Sequence, residues 1–463
     1  MNVRADIVDM SSPSVGSSFR EWECRSQPAH QVEPHPPRAR VGEYLAWAFE
    51  RLCASPLFGL SHVRGRVDRI TPAGDRWRID VMTPDGCRVW YSPVVVICTG
   101  HADAGGLNHA DVVSDQQLAP PGGDITVLGA ALTAYDVVLD LTEGRGGRFE
   151  TVEPGRMRFH PGGGEPRTIT LVSRSGTLMT PKPQSDQTEM GLAVTAVTHA
   201  LRGMVDPDDH WWQVLAEGAM AAARSTGVEV TQHTLMGALD RSADGAGAFQ
   251  RLRYGIEQAL GTVDQDPCWW WGRVWALGYR DIVASLERRQ RRQPSWLRWR
   301  SRAARMERWA FGPPIGTATR LLALHEAGIL QVAAVPNADE AQFHAITAPP
   351  GILTAPAEES ATPPAHGAPW NSLLDEGLIT VRPGERGVLT GPDAVCLTAT
   401  REPLTGLSAL GRPTEDPVIG HDTLNRGLHA DSRRWAAAVA RWLRGATEAV
   451  ARTPFVNHDG EPT

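Results

Sequence analysis

Residues 124–149 read DITVLGAALTAYDVVLDLTEGRGGRF. The first five residues are a β-prone run, the next few are small, and apolar residues then recur at helical spacing from about Thr133 to Thr142. A strand that runs through a tight turn into a helix is how a dinucleotide-binding unit begins. The free N–H groups and dipole of the helix N-terminus both point at an anion there. The usual turn is G-x-G-x-x-G/A; here it runs Gly129, Ala130, Ala131, Leu132, Thr133, Ala134. Gly129 stands at the tight-turn position. Ala131 places a methyl where a pyrophosphate would lie against bare backbone, which weakens or shifts the phosphate without forbidding it. Ala134 keeps the third position small enough for close helix–strand contact. The same residues also fit an ordinary strand–helix turn of an α/β domain.

The next strand, RTITLVSRSG, ends in Ser173 and Arg174. A unit that takes NAD places an acidic residue at this strand end for the ribose 2′-hydroxyl, whereas an arginine suits the 2′-phosphate of NADP. That residue usually comes about 20 positions after the loop. Here it comes much later, so the intervening PGRMRFHPGGGEPR reads as a Gly- and Pro-rich excursion. Arg174 as a plain exposed arginine is the competing reading.

Upstream, RVGEYLAWAFERL has helical periodicity, and HVRGRVDRI, RWRIDVMT and CRVWYS, with PAGD and PDG between them, read as an antiparallel meander. PVVVICTGHAD follows as a continuous apolar strand of the buried parallel kind, ending in Thr99, Gly100 and His101. Downstream, residues 187–328 read mostly as helix. LQVAAV, LITVR and DAVCLTAT read as strands, with the Pro/Ala-rich APPGILTAPAEESATPPAHGAP as a long loop, and the amphipathic SRRWAAAVARWLRGATEAV closes the chain. No internal repeat is visible.

The 463 residues are 41% hydrophobic and 21% charged, an ordinary soluble composition with enough apolar mass for two or three domains. A net charge of −7 argues against general polyanion binding. Of the 46 lysines and arginines a single one, Lys182, is lysine, so arginine-rich stretches carry less meaning here than elsewhere. The six cysteines form no C-x-x-C pair and none has a histidine at metal spacing; Cys98 and Cys396 sit in apolar runs and are expected to be buried. This is the cysteine usage of a reduced, cytoplasmic protein. The start carries no signal-type apolar region, and no run approaches the ~20 residues needed to cross a bilayer.

Two stretches invite sharper readings. LERRQRRQPSWLRWRSRAARMERW resembles a nucleic-acid stripe with Trp296 and Trp299 as stacking platforms, but charge and composition favour an arginine-rich helical pair with its tryptophans packed inward. CWWWGRVW, residues 268–275, could wall a substrate channel, although core packing is the commoner fate of such aromatics. Asp136 could orient the phosphate loop, although a capping or solvated role is the commoner one. No Ser-His-Asp set, H-E-x-x-H or carboxylate pair singles out a catalytic side chain, and no metal site is read.

The order meander, strand ending in T-G, then a second nucleotide unit is that of two-dinucleotide flavoproteins. The chain resembles the FAD/NAD(P)-binding family of bacterial flavoproteins related to flavin monooxygenases. The resemblance is carried by SFREW (18–22), PPRARVGEYLAWAFERL (36–52), VVVICTGH (94–101), VLGAALTAYDVVLDLTEGRGGRF (127–149), LVSRSG (171–176), FGPPIGTATRLLALHEAGIL (311–330) and GRPTEDPVIGHDTLNRGLH (411–429). It implies an α/β fold with two Rossmann-like dinucleotide-binding domains, a β-meander and a helical insertion. The FAD-type domain would take residues 1–123 and 395–463, and the NAD(P)-binding domain residues 124–394.

The family's first strand and full G-x-G-x-x-G loop are not found, and MNVRADIVDMSSP resembles an internal family segment. The FAD-type domain is therefore expected to be incomplete at its N-terminus, with FAD binding weakened or lost. By resemblance, Thr99, Gly100, His101, Gly411, Arg412, Pro413 and Thr414 are the residues left to touch a flavin. NADP or NAD would bind at the Gly129 loop, Ser173 and Arg174. The implied activity is an FAD- and NAD(P)H-dependent, monooxygenase-like oxidoreductase acting on a small molecule, with no nucleic-acid or membrane partner. The alternative is a non-catalytic remnant that binds a nucleotide or regulates.

Overall fold

The runs after residue 64 form β1 (Arg66–Ala73), β2 (Arg76–Thr83) and β3 (Gly86–Ser92), paired antiparallel in sequence order as expected. The chain is seen in a computed structural model that describes residues 3–26, 33–57, 59–100, 119–184, 187–204, 206–239, 247–289, 293–335, 341–346, 349–358, 362–421 and 423–452. Ahead of the meander, α1 (Phe19–Ser26) and α2 (Arg38–Cys53) bury Phe19, Trp22, Val41 and Tyr44 in one small cluster. Tyr44 ties this corner together, donating to the Ser17 carbonyl at 2.7 Å and accepting from the Met10 N–H at 2.8 Å.

The apolar run after the meander gives only three paired residues, β4 (Val95–Ile97). β4 lies parallel to β12 (Pro403–Ala409), which pairs antiparallel with β11 (Val395–Leu397). β12 is hidden in the sequence by its leading proline and by Gly406, both strand-disfavouring. Gly406 is needed there: its φ is +78° and a Cβ would stand 2.3 Å from the Pro93 carbonyl oxygen. Cys396 is fully buried, but Cys98, expected to be buried, is exposed because the paired strand stops at Ile97.

Residues 124–149 fold as read, into β5 (Asp124–Leu128), the turn and α3 (Leu132–Thr142). The Gly- and Pro-rich excursion that follows is a hairpin, β6 (Arg148–Glu153) with β7 (Arg156–His160), turned at Gly155. β8 (Thr168–Ser173), β9 (Leu330–Ala334) and β10 (Phe343–His344) complete a wholly parallel sheet of order β10-β5-β8-β9. In chain order this is 4-1-2-3, the Rossmann arrangement, with the reversal of direction between β5 and β10.

Between β8 and β9 the chain makes the helical insertion: α4 (Thr188–Thr198), α5 (Asp209–Arg224), α6 (Gln232–Leu239), α7 (Ala248–Leu260), α8 (Pro267–Leu286), α9 (Gln293–Ala310) and α10 (Ile315–Glu326). Its core is tryptophan-rich, with Trp211, Trp212, Trp269, Trp270, Trp271, Trp275, Trp296 and Trp299 all buried. Trp296 and Trp299 stack on each other at 4.5 Å, facing inward, so neither offers a platform for a base. Several indoles find acceptors as they are buried: Trp271 donates to the Leu235 carbonyl at 2.8 Å and Trp275 to Glu307 Oε1 at 3.0 Å.

LITVR forms no strand. Pro383 and Gly384 turn the chain at once, and Val381 makes a single bridge to Val388. The Pro/Ala-rich stretch is irregular but packed, burying Ile352, Leu353, Ala357 and Ala365. With α11 (Trp370–Asp375) it shares a hydrophobic cluster with β1, β2, β4, β11 and β12. Residues 352–388 therefore pack with the first half of the chain, on the other side of the boundary drawn at 394. The last helix is α12 (Asp431–Arg452). Among the described residues no helix is long and apolar enough to cross a membrane, and no cluster of ligating side chains could hold a metal ion.

Candidate functional site: two strand-end loops and the segment between them

In an open parallel sheet a ligand sits beyond the carboxyl ends of the strands, where the strand order reverses. Gly129 stands at that point. Its N–H donates to the Val172 carbonyl at 2.8 Å, and Ala345, just past β10, donates to the Leu128 carbonyl at 2.8 Å. Gly129 has φ +127°, and a Cβ on it would lie 2.7 Å from the Ala345 carbonyl oxygen. Only glycine satisfies both demands. Ala130 and Ala134 are buried, so the turn packs against the sheet rather than looping outward.

Ala131 is the N-cap of α3, with φ −131° and no side-chain capping bond. Its backbone lies in ordinary extended space, so alanine is tolerated there without strain. The N–H groups of Leu132, Thr133 and Ala134 belong to the first turn, which has no intrahelical acceptors to offer them. Tyr135, one residue on, escaped the sequence reading. It is fully buried, donates to the Ala130 carbonyl at 3.1 Å and accepts from the Met179 N–H at 2.9 Å. Burial pushes its phenol up to about 12, so it stays a neutral strut under the loop. An aromatic directly after a small-residue turn was the only signal available.

Ser173 and Arg174 end β8 beside this loop, since Leu128 of β5 is in register with Val172. Ser173 Oγ accepts from the Gly176 N–H at 3.1 Å and its carbonyl from Val335 at 3.0 Å, which fixes the turn. Gly176, at φ +58°, presses on Ala334. Arg174 is exposed, and no ion pair engages it among the described residues. Asp136, on the second turn of α3, pairs with Arg38 at the start of α2, at 3.0 Å.

The second set of residues gathers at the end of the β4–β12 pair. Ile97 is in register with Ala409, and Leu410 donates to the Ile97 carbonyl at 3.0 Å. The chain therefore leaves both strands on the same edge, with Thr99 and Gly100 beside Gly411 and Arg412. Thr99 and Gly100 are exposed; Gly100 (φ +70°) and Gly411 (φ +78°) both face open space where a Cβ would stand. The Arg412–Thr414 turn is more structural than read. Pro413 and Thr414 are buried, Thr414 Oγ1 donates to the Gly411 carbonyl at 2.9 Å, and Arg412 pairs with Glu415 at 2.6 Å. His101 lies outside the described residues.

These two edges hold the residues that the sequence reading assigns to NAD(P) and to a flavin, His101 aside. Residues 1–102 match the family model described as FAD-NAD(P)-binding. The nitrosuccinic acid synthase npaA of Aspergillus oryzae is 30% identical over 176 residues, covering 33% of this chain and 26% of that protein. The match thus spans about a quarter of that relative's length. Among solved structures, an ornithine N-hydroxylase of Kutzneria sp. 744, with FADred, NADP+ and L-orn, aligns with 95% of this chain and 87% of its own at 12% identity and a TM-score of 0.46. The bacillithiol disulfide reductase Bdr of Bacillus cereus aligns with 32% of this chain and 40% of its own, at 15% identity and a TM-score of 0.21.

Proposed function

We propose that the chain is an FAD- and NADPH-dependent oxidoreductase of the monooxygenase-like kind. The observation that carries this reading is the Gly129 turn at the strand-order reversal of a 4-1-2-3 parallel sheet, in a chain whose residues 1–102 match an FAD-NAD(P)-binding family. The residues present fit a dinucleotide. The Gly129 backbone has no room for a side chain, the first turn of α3 offers N–H groups to a pyrophosphate, and the exposed Arg174 stands at the strand end that reads the ribose. The open backbone at Gly100 and Gly411 fits close approach of a flavin nucleotide at the other edge.

When bound, the two cofactors supply hydride and flavin redox chemistry. The protein's own part is to bind and orient. Tyr135 holds the phosphate loop against residue 179, and Arg38 with Asp136 ties the start of α2 to the second turn of α3. In this reading no side chain needs to act as nucleophile. The rival reading is a non-catalytic protein that binds a nucleotide without flavin or regulates.

An absorbance spectrum of the purified chain after desalting, with and without added FAD, separates the two. A retained flavin band that bleaches on anaerobic addition of NADPH is the expected result. NADP+ binding with no flavin uptake would leave the rival.

A further inference from the structure

The first two helices and the turn that leads into them enclose a cavity of about 590 Å³. Internal bonds fix its walls. The Tyr44 hydroxyl of α2 holds the Ser17 carbonyl at 2.7 Å, and Ser14 Oγ lies 3.0 Å from Ser55 Oγ, just past the end of α2. At the start of α1 the Ser18 N–H donates to Glu21 Oε2 at 2.8 Å, and the Glu21 N–H donates back to Ser18 Oγ at 3.4 Å. This reciprocal cap fixes where the helix begins.

The two helices present the same pair of side chains to the cavity. Trp22 with Arg25 and Ser26 on α1, and Trp47 with Arg51 on α2, stand three or four residues apart, so each set shares one helix face. Val15, Gly16 and Ser17 line it from the turn. The two indoles differ in what is left of them. Trp22 is buried, 5.7 Å from Tyr44 and covered by the Arg40 guanidinium at 4.7 Å. Trp47 stacks on Tyr44 at 5.9 Å but is only half-buried, so part of its ring is left for the cavity. Gly16, at φ +82°, meets nothing within 4 Å where a Cβ would stand, so bare backbone completes the rim.

The charge of the lining is one-sided. Among the described residues it holds two arginines and no carboxylate. The acids of the two helices are engaged elsewhere or face away: Glu23 pairs with Arg40 at 2.6 Å, Glu43 also pairs with Arg40, Glu21 caps α1, and Glu50 is not part of the lining. Arg25 donates to the neutral Ser17 Oγ, and no ion pair engages Arg51 among the described residues. A guanidinium fork matches the oxygens of a carboxylate or a phosphate, and an indole face takes a flat ring. The volume is in the range of small-molecule sites, roughly 300–1,000 Å³.

We propose that this cavity binds a planar aromatic acid, its ring against Trp47 and its acidic group met by Arg25 and Arg51. Carboxylate and phosphate share this chemistry, and the probes below separate them. The site has no residue in common with the Gly129 turn or with the Gly100 and Gly411 edge, so it does not depend on the oxidoreductase reading.

The test is calorimetric titration of the full chain with 2-naphthoate, its neutral alcohol 2-naphthylmethanol, acetate and 5′-AMP. Wild type is compared with Arg51→Glu and Trp47→Leu, with circular dichroism to show that each is folded. The expected result is saturable binding of 2-naphthoate, at least tenfold tighter than the alcohol or acetate, and weakened at least tenfold in both variants. The same pattern for 5′-AMP, with 2-naphthoate not bound, assigns the acidic group to a phosphate. AMP held elsewhere in the chain would keep its affinity in Arg51→Glu. Arg51 is exposed and makes no ion pair, so that variant decides alone if Trp47→Leu fails to fold. Absence of saturable binding of both acids to wild type, or an affinity for each bound acid within threefold of wild type in Arg51→Glu, would overturn the proposal.

Discussion

Replacing Gly129 with alanine tests the phosphate loop most directly, because its geometry admits no easy adjustment. At φ +127° the backbone is in a region that L-residues rarely enter, and holding one there costs about 1–3 kcal/mol. The new Cβ would stand 2.7 Å from the Ala345 carbonyl oxygen and 3.1 Å from its carbon. Those atoms are backbone, and Ala345 is hydrogen-bonded to Leu128, so neither can swing away. Overpacking of this kind adds about 1–3 kcal/mol. The expected loss of stability is therefore roughly 2–6 kcal/mol, read as a lowered urea midpoint at unchanged slope. NADP+ affinity, followed by fluorescence titration at a denaturant-free pH 7.5, is expected to fall at least tenfold. Ala131→Gly is the matched control. Its φ of −131° needs no glycine, and glycine is at least as good an N-cap as alanine. Stability is expected to hold within about 1 kcal/mol, while NADP+ binding tightens several-fold as the methyl is removed. A Gly129→Ala variant with wild-type stability and NADP+ affinity, or an Ala131→Gly variant that binds NADP+ more weakly, would refute the placement of a pyrophosphate on this turn.

Other outcomes are expected at separate points. Arg174→Ala is expected to raise the KM for NADPH by about 10- to 100-fold, the size of a lost charge-assisted bond, with the KM for NADH nearly unchanged; equal effects would remove the 2′-phosphate assignment. Tyr135→Phe leaves the Met179 N–H without its partner and is expected to cost about 1–3 kcal/mol in chemical denaturation. Asp281 is buried against Thr198 Oγ1 at 2.8 Å and the well-exposed Arg202 at 2.6 Å; Asp281→Ala is expected to destabilise the helical insertion by about 1–3 kcal/mol, chiefly through the buried Thr198 hydroxyl left unpaired. Lys182 titrates near 7 in the fold and near 10.5 when unfolded, so between those values the unfolded chain binds more protons and stability rises with pH. With Arg273 and Arg4 the charges that bear on it, the advantage of Lys182→Met over wild type should be largest at pH 6 and shrink by pH 9. An advantage independent of pH would show that the ammonium is not desolvated.

The strand–turn–helix unit at residues 124–149 was legible because local signals agreed there: a β-prone run, a small-residue turn and a helical period, each set by nearest neighbours. The meander was legible for the same reason, its turns marked by Gly74 and Gly86 at positive φ. What escaped is set by distant partners. β12 contains Pro403 and Gly406, which argue against a strand until Pro93 and Trp77 are seen pressing on the glycine. Nothing local distinguishes Cys98 from Cys396, yet one lies past the end of its strand and the other under a sheet. Of the site residues, Arg174 and the glycine turn are local features. The role of Tyr135 depends on Met179, a residue far from it in the chain.

The helical insertion also sets the order in which the molecule can form. β8 and β9 are neighbours in the sheet, yet the whole run from Arg174 to Ile329 separates them. Closing a flexible loop of that length costs on the order of 4–5 kcal/mol before any strand pairing repays it. The insertion has its own tryptophan core, built from contacts among α4 to α9, and those contacts are all shorter in sequence than the β8–β9 separation. If it condenses first, its ends are brought together and most of that closure entropy is already spent when β9 arrives. Refolding followed by tryptophan emission should then run ahead of recovery of NADP+ binding, with the nucleotide sheet assembling on a scaffold made by the segment that interrupts it.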